Sequence, residues 1–200
     1  MKLSDLQNKN KDYIEVHQSY PFAIRNILDE TSGIKVNRHT GQQVSLHTDI
    51  ELSILEKSGV VHPSNVGGNM TDWHLHTECD SVAWVGEYAC RLAEHISRHL
   101  AIMKFECHES WGVHYEKEMG TKRHTHWPYQ FSFGYYVKVP DYAPIVFPTA
   151  NFEHNPRPGD LIVFPGHVAH EVPPVTGDRI MIAGNLRNIN WSDQNQRRPK

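Results

Sequence analysis

The residues with the clearest chemical potential are three histidines in the second half of the chain. His124 and His126 lie two apart, just before a long alternating segment, and His170 follows in a separate segment. In an extended chain, residues two apart project from the same face, with Cα atoms about 6.6–7 Å apart. Their imidazoles can therefore converge on one metal ion, with nitrogen–metal bonds of roughly 2 Å. A neighbouring strand would bring His170 to the same ion.

Two ligands two apart plus one distant ligand form a facial triad and leave three positions of the metal open. Non-haem Fe(II) oxygenases use this arrangement. A bidentate cosubstrate then takes two open positions and O₂ takes the third. Arg179 follows His170 by nine residues, and its guanidinium offers a bidentate clamp for a carboxylate. The pattern therefore predicts an iron site beside a site for a carboxylate cosubstrate.

The elements that must position these residues alternate with a period of two, which is typical of strands. Hydrophobic and polar residues alternate over 131–139, as in a half-buried strand, and again over 179–186, where one face carries Arg179, Met181, Ala183 and Asn185. Short apolar runs at 144–147 and 161–164 add two further strands. Several short strands separated by Pro/Gly turns indicate a sandwich, jelly roll or barrel.

One helix precedes these strands. Apolar residues recur every four positions over 80–100, as an amphipathic helix requires, and Asp80 or Ser81 is a natural N-cap. Before it, Tyr20–Ile24 reads as the end of an early strand and 49–58 as one or two helical turns. We expect a mainly β, α+β fold in a single domain, 1–200. A helical and mixed layer, 1–100, would pack on a core at 101–190.

Composition narrows the functional classes. The chain has 200 residues, 15 of them histidine, and its net charge of -3 provides no basic surface for nucleic acid. No apolar run reaches the roughly 20 residues that span a bilayer, and the start lacks a signal peptide, so we expect a cytoplasmic protein. The three cysteines show no disulfide pattern and are interpreted as idle thiols.

The segment from Trp111 to Asn185 resembles the iron(II)- and 2-oxoglutarate-dependent oxygenase superfamily. It is most similar to an uncharacterised bacterial and phage branch related to prolyl hydroxylases. The matching motifs are His124-Thr125-His126, Tyr135-Tyr136, Gly159-Asp160-Leu161-Ile162-Val163-Phe164-Pro165, His170-Glu171-Val172-Pro173-Pro174 and Arg179 with Asn185. Tyr115 also precedes His124 by nine residues, and the turn at 64–68 resembles one that the branch carries before its helix. The resemblance implies a double-stranded β-helix, or jelly roll.

The resemblance also implies roles for individual residues. His124, His126 and His170 would bind Fe(II), and Arg179 would bind the distal carboxylate of 2-oxoglutarate. Tyr115, Gln130 and Tyr136 are candidate contacts to either end of that cosubstrate, and Asn185 shares the face of Arg179. The implied reaction hydroxylates a small-molecule or peptidyl substrate and releases succinate and CO₂. One departure stands out: most of the superfamily has Asp or Glu where this sequence has His126.

Two other functions remain open at this point. Gly159, Pro165 and His170 also fit the second motif of cupins, so a three-histidine metalloenzyme that does not use 2-oxoglutarate is one alternative. Against it, Gln130 and Phe131 stand where the first cupin motif expects glutamate. A non-catalytic jelly-roll binding module is the other alternative. A second histidine pair, His74 and His76, is interpreted as structural or substrate-facing, and a homodimer is also open.

Overall fold

The computed structural model describes residues 20–38, 41–60, 64–98 and 103–189. Antiparallel strands dominate these residues, as the alternating segments predict. In chain order they are β1 (Ala23–Asn26), β2 (Lys35–Asn37), β3 (Gln43–Ser45), β4 (Asn69–Met70), β5 (Phe105–Tyr115), β6 (Thr121–His124), β7 (Phe131–Lys138), β8 (Ile145–Phe147), β9 (Phe152–His154), β10 (Asp160–Pro165), β11 (His170–Val172) and β12 (Arg179–Asn188).

Two sheets form the jelly roll. The larger has the order β1-β10-β7-β12-β5-β4, and the smaller has the order β6-β11-β8-β9. A separate hairpin joins β2 to β3. Every neighbouring pair is antiparallel, and the crossings between sheets produce non-sequential neighbours, as expected of a jelly roll. The predicted mainly β, jelly-roll fold class is confirmed.

Helices cover the outer face of the larger sheet. They are α1 (Leu28–Gly33), α2 (Leu46–Lys57) and α3 (Asp80–Ser97), with short 3₁₀ turns at Leu75–Thr77 and Pro148–Ala150. Ser45 caps α2, since its hydroxyl accepts a hydrogen bond of 3.0 Å from the backbone N–H of Thr48. The helix is longer than the one or two turns that the sequence predicts over 49–58.

The core has two layers, one on each face of the larger sheet. Tyr135 of β7 packs among the helices, whereas its neighbour Tyr136 packs between the two sheets. Strand β7 lies between β10 and β12, and its residues from Phe131 to Val137 are all buried. The prediction of a half-buried strand is therefore wrong for β7, because helices cover the face that alternation assigns to solvent.

The long helix α3 begins at Asp80 as predicted, but its details differ. Cys79 occupies the N-cap position without a side-chain hydrogen bond, and the hydroxyl of Ser81 instead donates to Asp49 at 2.6 Å. The large apolar residues that recur every four positions, Trp84, Tyr88, Leu92 and Ile96, are only half-buried, at the edge of the helix interface. The fully buried face is formed instead by smaller residues, namely Val82, Val85, Ala89 and Ala93. The last two predicted residues, 99 and 100, lie outside the described residues.

Other expectations concern cysteines and membranes. Cys79 and Cys90 are buried and Cys107 is half-buried, and all three carry free thiols. Burial raises the pKa of both Cys90 and Cys107 to about 12, so they stay protonated at neutral pH. Among the described helices, none combines the length and the apolar character that a membrane crossing requires.

Replacing Ile54 with alanine should destabilise the fold by about 2–5 kcal/mol, the usual range for Ile→Ala in a core. Ile54 of α2 is fully buried and lies against Gly112 of β5, where an added Cβ would come within 2.4 Å of its Cγ1. Leu55→Ala is the matched control, because Leu55 is 44% exposed. Urea unfolding measures both free energies. Equal losses in the two variants would contradict the packing of α2 on β5.

Candidate metal site and adjoining cavities

Strand pairing positions two of the three histidines. His124 ends β6 and His170 begins β11, and the two residues lie directly opposite each other in the antiparallel pair. Residues opposite each other across antiparallel strands have neighbouring side chains, and the ring centroids here are 4.4 Å apart. An ion pair between Arg123 and Glu171, with Nε–Oε2 at 2.9 Å, joins the same two strands on the exposed side.

His126 reaches the same point from a loop. It follows the end of β6, and its backbone N–H donates to the carbonyl of Gly166 at 2.7 Å. A Cβ on Gly166 would lie 2.3 Å from the carbonyl oxygen of Tyr129, so only glycine permits this approach. The loop brings Nε2 of His126 within 3.3 Å of Nε2 of His170. The extended conformation that the sequence predicts therefore ends at His124, yet the imidazoles still converge.

The nitrogens of the three rings suit a cation. One nitrogen of each ring lies within 4.8 Å of the others, and no second group of this kind occurs among the described residues. Nδ1 of His124 lies 2.8 Å from the carbonyl of Lys122, and Nδ1 of His170 lies 3.2 Å from that of Val168. Such carbonyl contacts hold the proton on Nδ1 and leave Nε2 to bind a metal.

The electrostatics of the site favour neutral imidazoles. Burial, with a contribution from His124, lowers the pKa of His170 to about 3. Burial also holds the pKa of His126 well below its ordinary value, and the two neighbouring imidazoles add to that effect. The pKa of His124 is lowered by burial as well. Because a metal binds the neutral ring, the three histidines are in the form that a divalent cation needs.

Arg179 lies in the same cavity as the histidines. This inner cavity, a narrow space of about 40 Å³, is lined by the three histidines, Arg179 and mainly apolar residues of both sheets. Arg179 opens β12 and is fully buried, and its three guanidinium nitrogens have no hydrogen-bond partner among the described residues. The guanidinium lies over the rings of Tyr115 and Tyr136, at 5.2 and 5.1 Å from their centroids. A buried cation without an anionic partner is costly, so this geometry points to an anionic ligand.

Two other residues proposed as cosubstrate contacts, Tyr115 and Tyr136, lie beside the guanidinium of Arg179. Tyr115 lines the inner cavity, and its hydroxyl is 2.7 Å from Oγ1 of Thr121. Tyr136 packs under the guanidinium, and the interaction of its buried hydroxyl with Arg179 opposes the rise of its pKa. Burial raises the pKa of both phenols, against the opposing charge of Arg179. Both tyrosines therefore border the cation and remain candidates.

Gln130 is not brought to the site. It precedes β7 at the far end of the sheet, and its Oε1 accepts a hydrogen bond of 2.9 Å from the backbone N–H of Asn188. Neither cavity beside the histidines includes it among its lining residues. The resemblance implied a contact between Gln130 and the cosubstrate, but the chain turns away between His126 and Gln130.

Asn185 lies beside a second space, which we call the outer cavity. This cavity of about 280 Å³ shares His124, His126 and Trp111 with the inner cavity and opens beside Trp127. Asn185 accepts a hydrogen bond from Ser132 and donates one to Oε2 of Glu109, each of 2.9 Å. Its amide thus orients a carboxylate in the outer cavity, and a contact with the cosubstrate stays a prediction.

Sequence reasoning missed most of the outer cavity. Its walls include Trp73, Trp111, Trp127 and Tyr129, together with Glu109. Their positions span more than fifty residues, so no local motif unites them. The one signal in the sequence was an aromatic residue, Trp127, directly after His126. In the structure, 76% of its surface is exposed. His74 and His76 lie nearby, and Nδ1 of His76 is 3.0 Å from Oγ of Ser110, in line with a structural role.

The chain matches no known protein family and no curated protein by sequence. Its structure, however, matches many solved ones. The viral collagen prolyl hydroxylase of Paramecium bursaria Chlorella virus-1, solved with 2OG, aligns at a TM-score of 0.60 and 13% identity over 84% of this chain and 97% of that one. A Pseudomonas putida prolyl-4-hydroxylase aligns at 0.61 and 17% identity over 84% and 93% of the two chains. A Trichoplax adhaerens prolyl hydroxylase, solved with a peptide fragment of hypoxia inducible factor, aligns at 0.54 and 17% identity over 86% and 90%.

These likenesses concern the fold. At 13–17% identity they show that the chain has the jelly roll of prolyl hydroxylases over most of its length. They confirm the architecture that the sequence resemblance implied. The fold alone does not define the function, because one fold hosts many functions.

Proposed function

We propose that this protein is a non-haem Fe(II)- and 2-oxoglutarate-dependent oxygenase. His124, His126 and His170 would hold the iron, and Arg179 would hold the distal carboxylate of 2-oxoglutarate. The observation that carries the proposal is the position of Arg179: a fully buried guanidinium without a hydrogen-bond partner among the described residues lines the same cavity as the three histidines. Three ligands on one side of a cation leave room for a chelating cosubstrate.

The residues fit this metal by the chemistry of their donors. Three neutral imidazole nitrogens within 4.8 Å of one another suit a borderline divalent ion such as Fe(II). When bound, iron with 2-oxoglutarate and O₂ would supply the oxidising chemistry that hydroxylates a C–H bond, with succinate and CO₂ released. The protein contributes binding, orientation and exclusion of water.

The chain itself performs three tasks in this scheme. The fork of Arg179 accepts one carboxylate in a bidentate geometry and thereby orients the other end of the cosubstrate toward the histidines. The apolar walls, including Phe133, Phe164 and Met181, keep water out of the inner cavity. Tyr115 and Tyr136 hold the guanidinium between their rings, so that little conformational freedom is lost on binding.

His126 gives the site a particular charge balance. With three neutral ligands the protein contributes no negative charge to the metal, whereas a carboxylate at that position would contribute one. This favours anionic cosubstrates over neutral ones. A three-histidine metalloenzyme without 2-oxoglutarate is the alternative that His126 supports, but it leaves the buried charge of Arg179 without a partner.

The direct test is an anaerobic titration of the wild-type chain, free of any His-tag, with Fe(II) and then 2-oxoglutarate. We expect one equivalent of iron and a weak visible charge-transfer band that appears only when both are present. Addition of O₂, with ascorbate as the reductant, should convert 2-oxoglutarate to succinate and CO₂ at a slow, uncoupled rate. Iron binding without the band, and without any change in succinate, would favour the three-histidine alternative. Absence of iron binding would favour a non-catalytic binding module.

The substrate would be a small molecule or a peptide side chain. The outer cavity opens to solvent beside Trp127 and borders His124 and His126, so a group placed there would lie next to the metal. The Trichoplax adhaerens prolyl hydroxylase was solved in complex with a peptide fragment, so a protein of this fold can bind a peptide. Both substrate classes are therefore compatible with the geometry.

A further inference from the structure

The aromatic residues that line the outer cavity favour a positively charged ligand. Of the five tryptophans in the chain, three line this cavity, together with Tyr129. Trp73 packs edge-on against Trp111 with ring centroids 4.5 Å apart, and Trp127 stands at the rim with 76% of its surface exposed. Aromatic faces attract cations through their quadrupole.

Glu109 supplies a complementary charge. It is the one acidic or basic residue among the described residues that line the outer cavity, apart from the neutral histidines. Asn185 donates to its Oε2 at 2.9 Å, and burial together with a hydrogen bond to Glu109 raises the pKa of Tyr129 to about 12. Within the part of the chain that the structure describes, no lysine or arginine forms an ion pair with Glu109. The carboxylate is thus held in place by neutral donors.

We propose that the outer cavity binds a positively charged nitrogen of the substrate, an ammonium or alkylated ammonium group, between its tryptophans and Glu109. This inference rests on the proposed function, since it identifies the substrate class of the same site. Aromatic walls and one oriented carboxylate are how proteins recognise such groups. The cation would lie beside His124 and His126, and a neighbouring C–H bond of the same molecule would face the metal.

The test compares charged probes with neutral ones of the same shape. Choline is paired with 3,3-dimethyl-1-butanol, and Nα-acetyl-lysine amide with Nα-acetyl-2-aminoheptanoic acid amide, in which a methyl group replaces the ammonium. Binding to the full chain without added metal is followed by the indole N–H signals of ¹⁵N-labelled tryptophan. We expect at least one cation to bind about tenfold more tightly than its neutral partner, from a cation–π and charge contribution. The signals of Trp73, Trp111 and Trp127 should shift, and that of Trp84 on α3 should not.

Two variants locate the charge. Glu109→Gln keeps an oxygen for Asn185 and should reduce the preference for the cation to within about twofold. The matched control is Glu106→Gln: Glu106 lies on the same strand but pairs with Arg187 on the surface, so the preference should be retained. Trp127→Ala tests the aromatic wall without disturbing the core, because Trp127 is largely exposed, and it should weaken binding of the cation several-fold.

The possible results separate this inference from the proposed function. Equal binding of charged and neutral probes, no saturable binding of either cation, or a preference that survives Glu109→Gln would each overturn the cation site. A loss of Fe(II) affinity in Glu109→Gln as large as the loss of cation affinity would also overturn it, because Glu109 would then serve the metal. A charge-transfer band with 2-oxoglutarate alongside any of these results leaves the oxygenase proposal intact. Cation preference without that band contradicts the oxygenase proposal alone.

Discussion

An Arg179→Met variant should bind 2-oxoglutarate at least about 100-fold more weakly than the wild-type chain, and it should be as stable or more stable toward urea. Both effects have the same cause. The guanidinium is fully buried and none of its nitrogens is paired within the described residues. Its desolvation is therefore a cost that only an anionic ligand offsets, and methionine fills similar space without that cost.

The two readouts together distinguish a binding residue from a structural one. A structural arginine would lose stability when replaced, whereas here stability and affinity should change in opposite directions or stability should stay constant. Arg187→Met is the matched control: Arg187 is exposed on the same strand and pairs with Glu106, so cosubstrate affinity should be unchanged. Affinity is measured by anaerobic calorimetry with Fe(II) present. Unchanged affinity in Arg179→Met would falsify the assignment of the cosubstrate carboxylate.

The part of the site that follows strand alternation could be predicted from the sequence. Arg179 opens β12, where the predicted alternation over 179–186 assigns its side chain to one face, and His170 begins β11, the neighbouring strand that the sequence predicts to bring it to the metal. The same holds for Met181 and Ala183, which line the inner cavity on the face of Arg179. Local pattern and fold agree there, and prediction succeeds for that reason.

The direction of each side chain on β5 could not be predicted from alternation. Its register against β12 shifts, since Asn185 pairs with Glu109 while Leu186 pairs with Cys107, and His108 is left as the extra residue. A bulge of this kind reverses the alternation of side chains along the strand. Glu109 lies directly beside this bulge, so the alternation of β5 does not predict its position in the outer cavity, whereas Trp111 lines both cavities. The outer cavity became visible only in three dimensions.

Loops explain the remaining differences. His126 reaches the other imidazoles through a turn anchored by Gly166, and Gln130 is directed away by the same turn. Spacing alone cannot separate these two outcomes, since both residues lie within six positions of His124. Only the backbone hydrogen bonds of the 126–130 segment determine which side chain faces the metal site.

A His170→Ala variant should lose Fe(II) affinity by at least about 100-fold, because loss of a direct ligand should cost no less than the 10–100-fold typical of residues that merely orient ligands. His170 is 5% exposed and its Nε2 lies 3.3 Å from that of His126, so its removal leaves two ligands and opens one side of the site. His167→Ala is the matched control. His167 is exposed and its ring packs 5.7 Å from that of Tyr20, outside the triad. Metal content and anaerobic Fe(II) titration measure the difference.

The same titration can resolve the role of His126 when it is changed in two ways. His126→Ala should behave like His170→Ala, since both rings belong to the group whose nitrogens lie within 4.8 Å. His126→Asp supplies a carboxylate at the position where the resembling superfamily usually has one, so it should retain Fe(II) far better than the alanine variant. Its added negative charge should weaken 2-oxoglutarate binding relative to wild type. Wild-type affinity for Fe(II) in His126→Ala would exclude His126 from the metal site and leave a two-histidine site that depends on a ligand from the substrate or solvent.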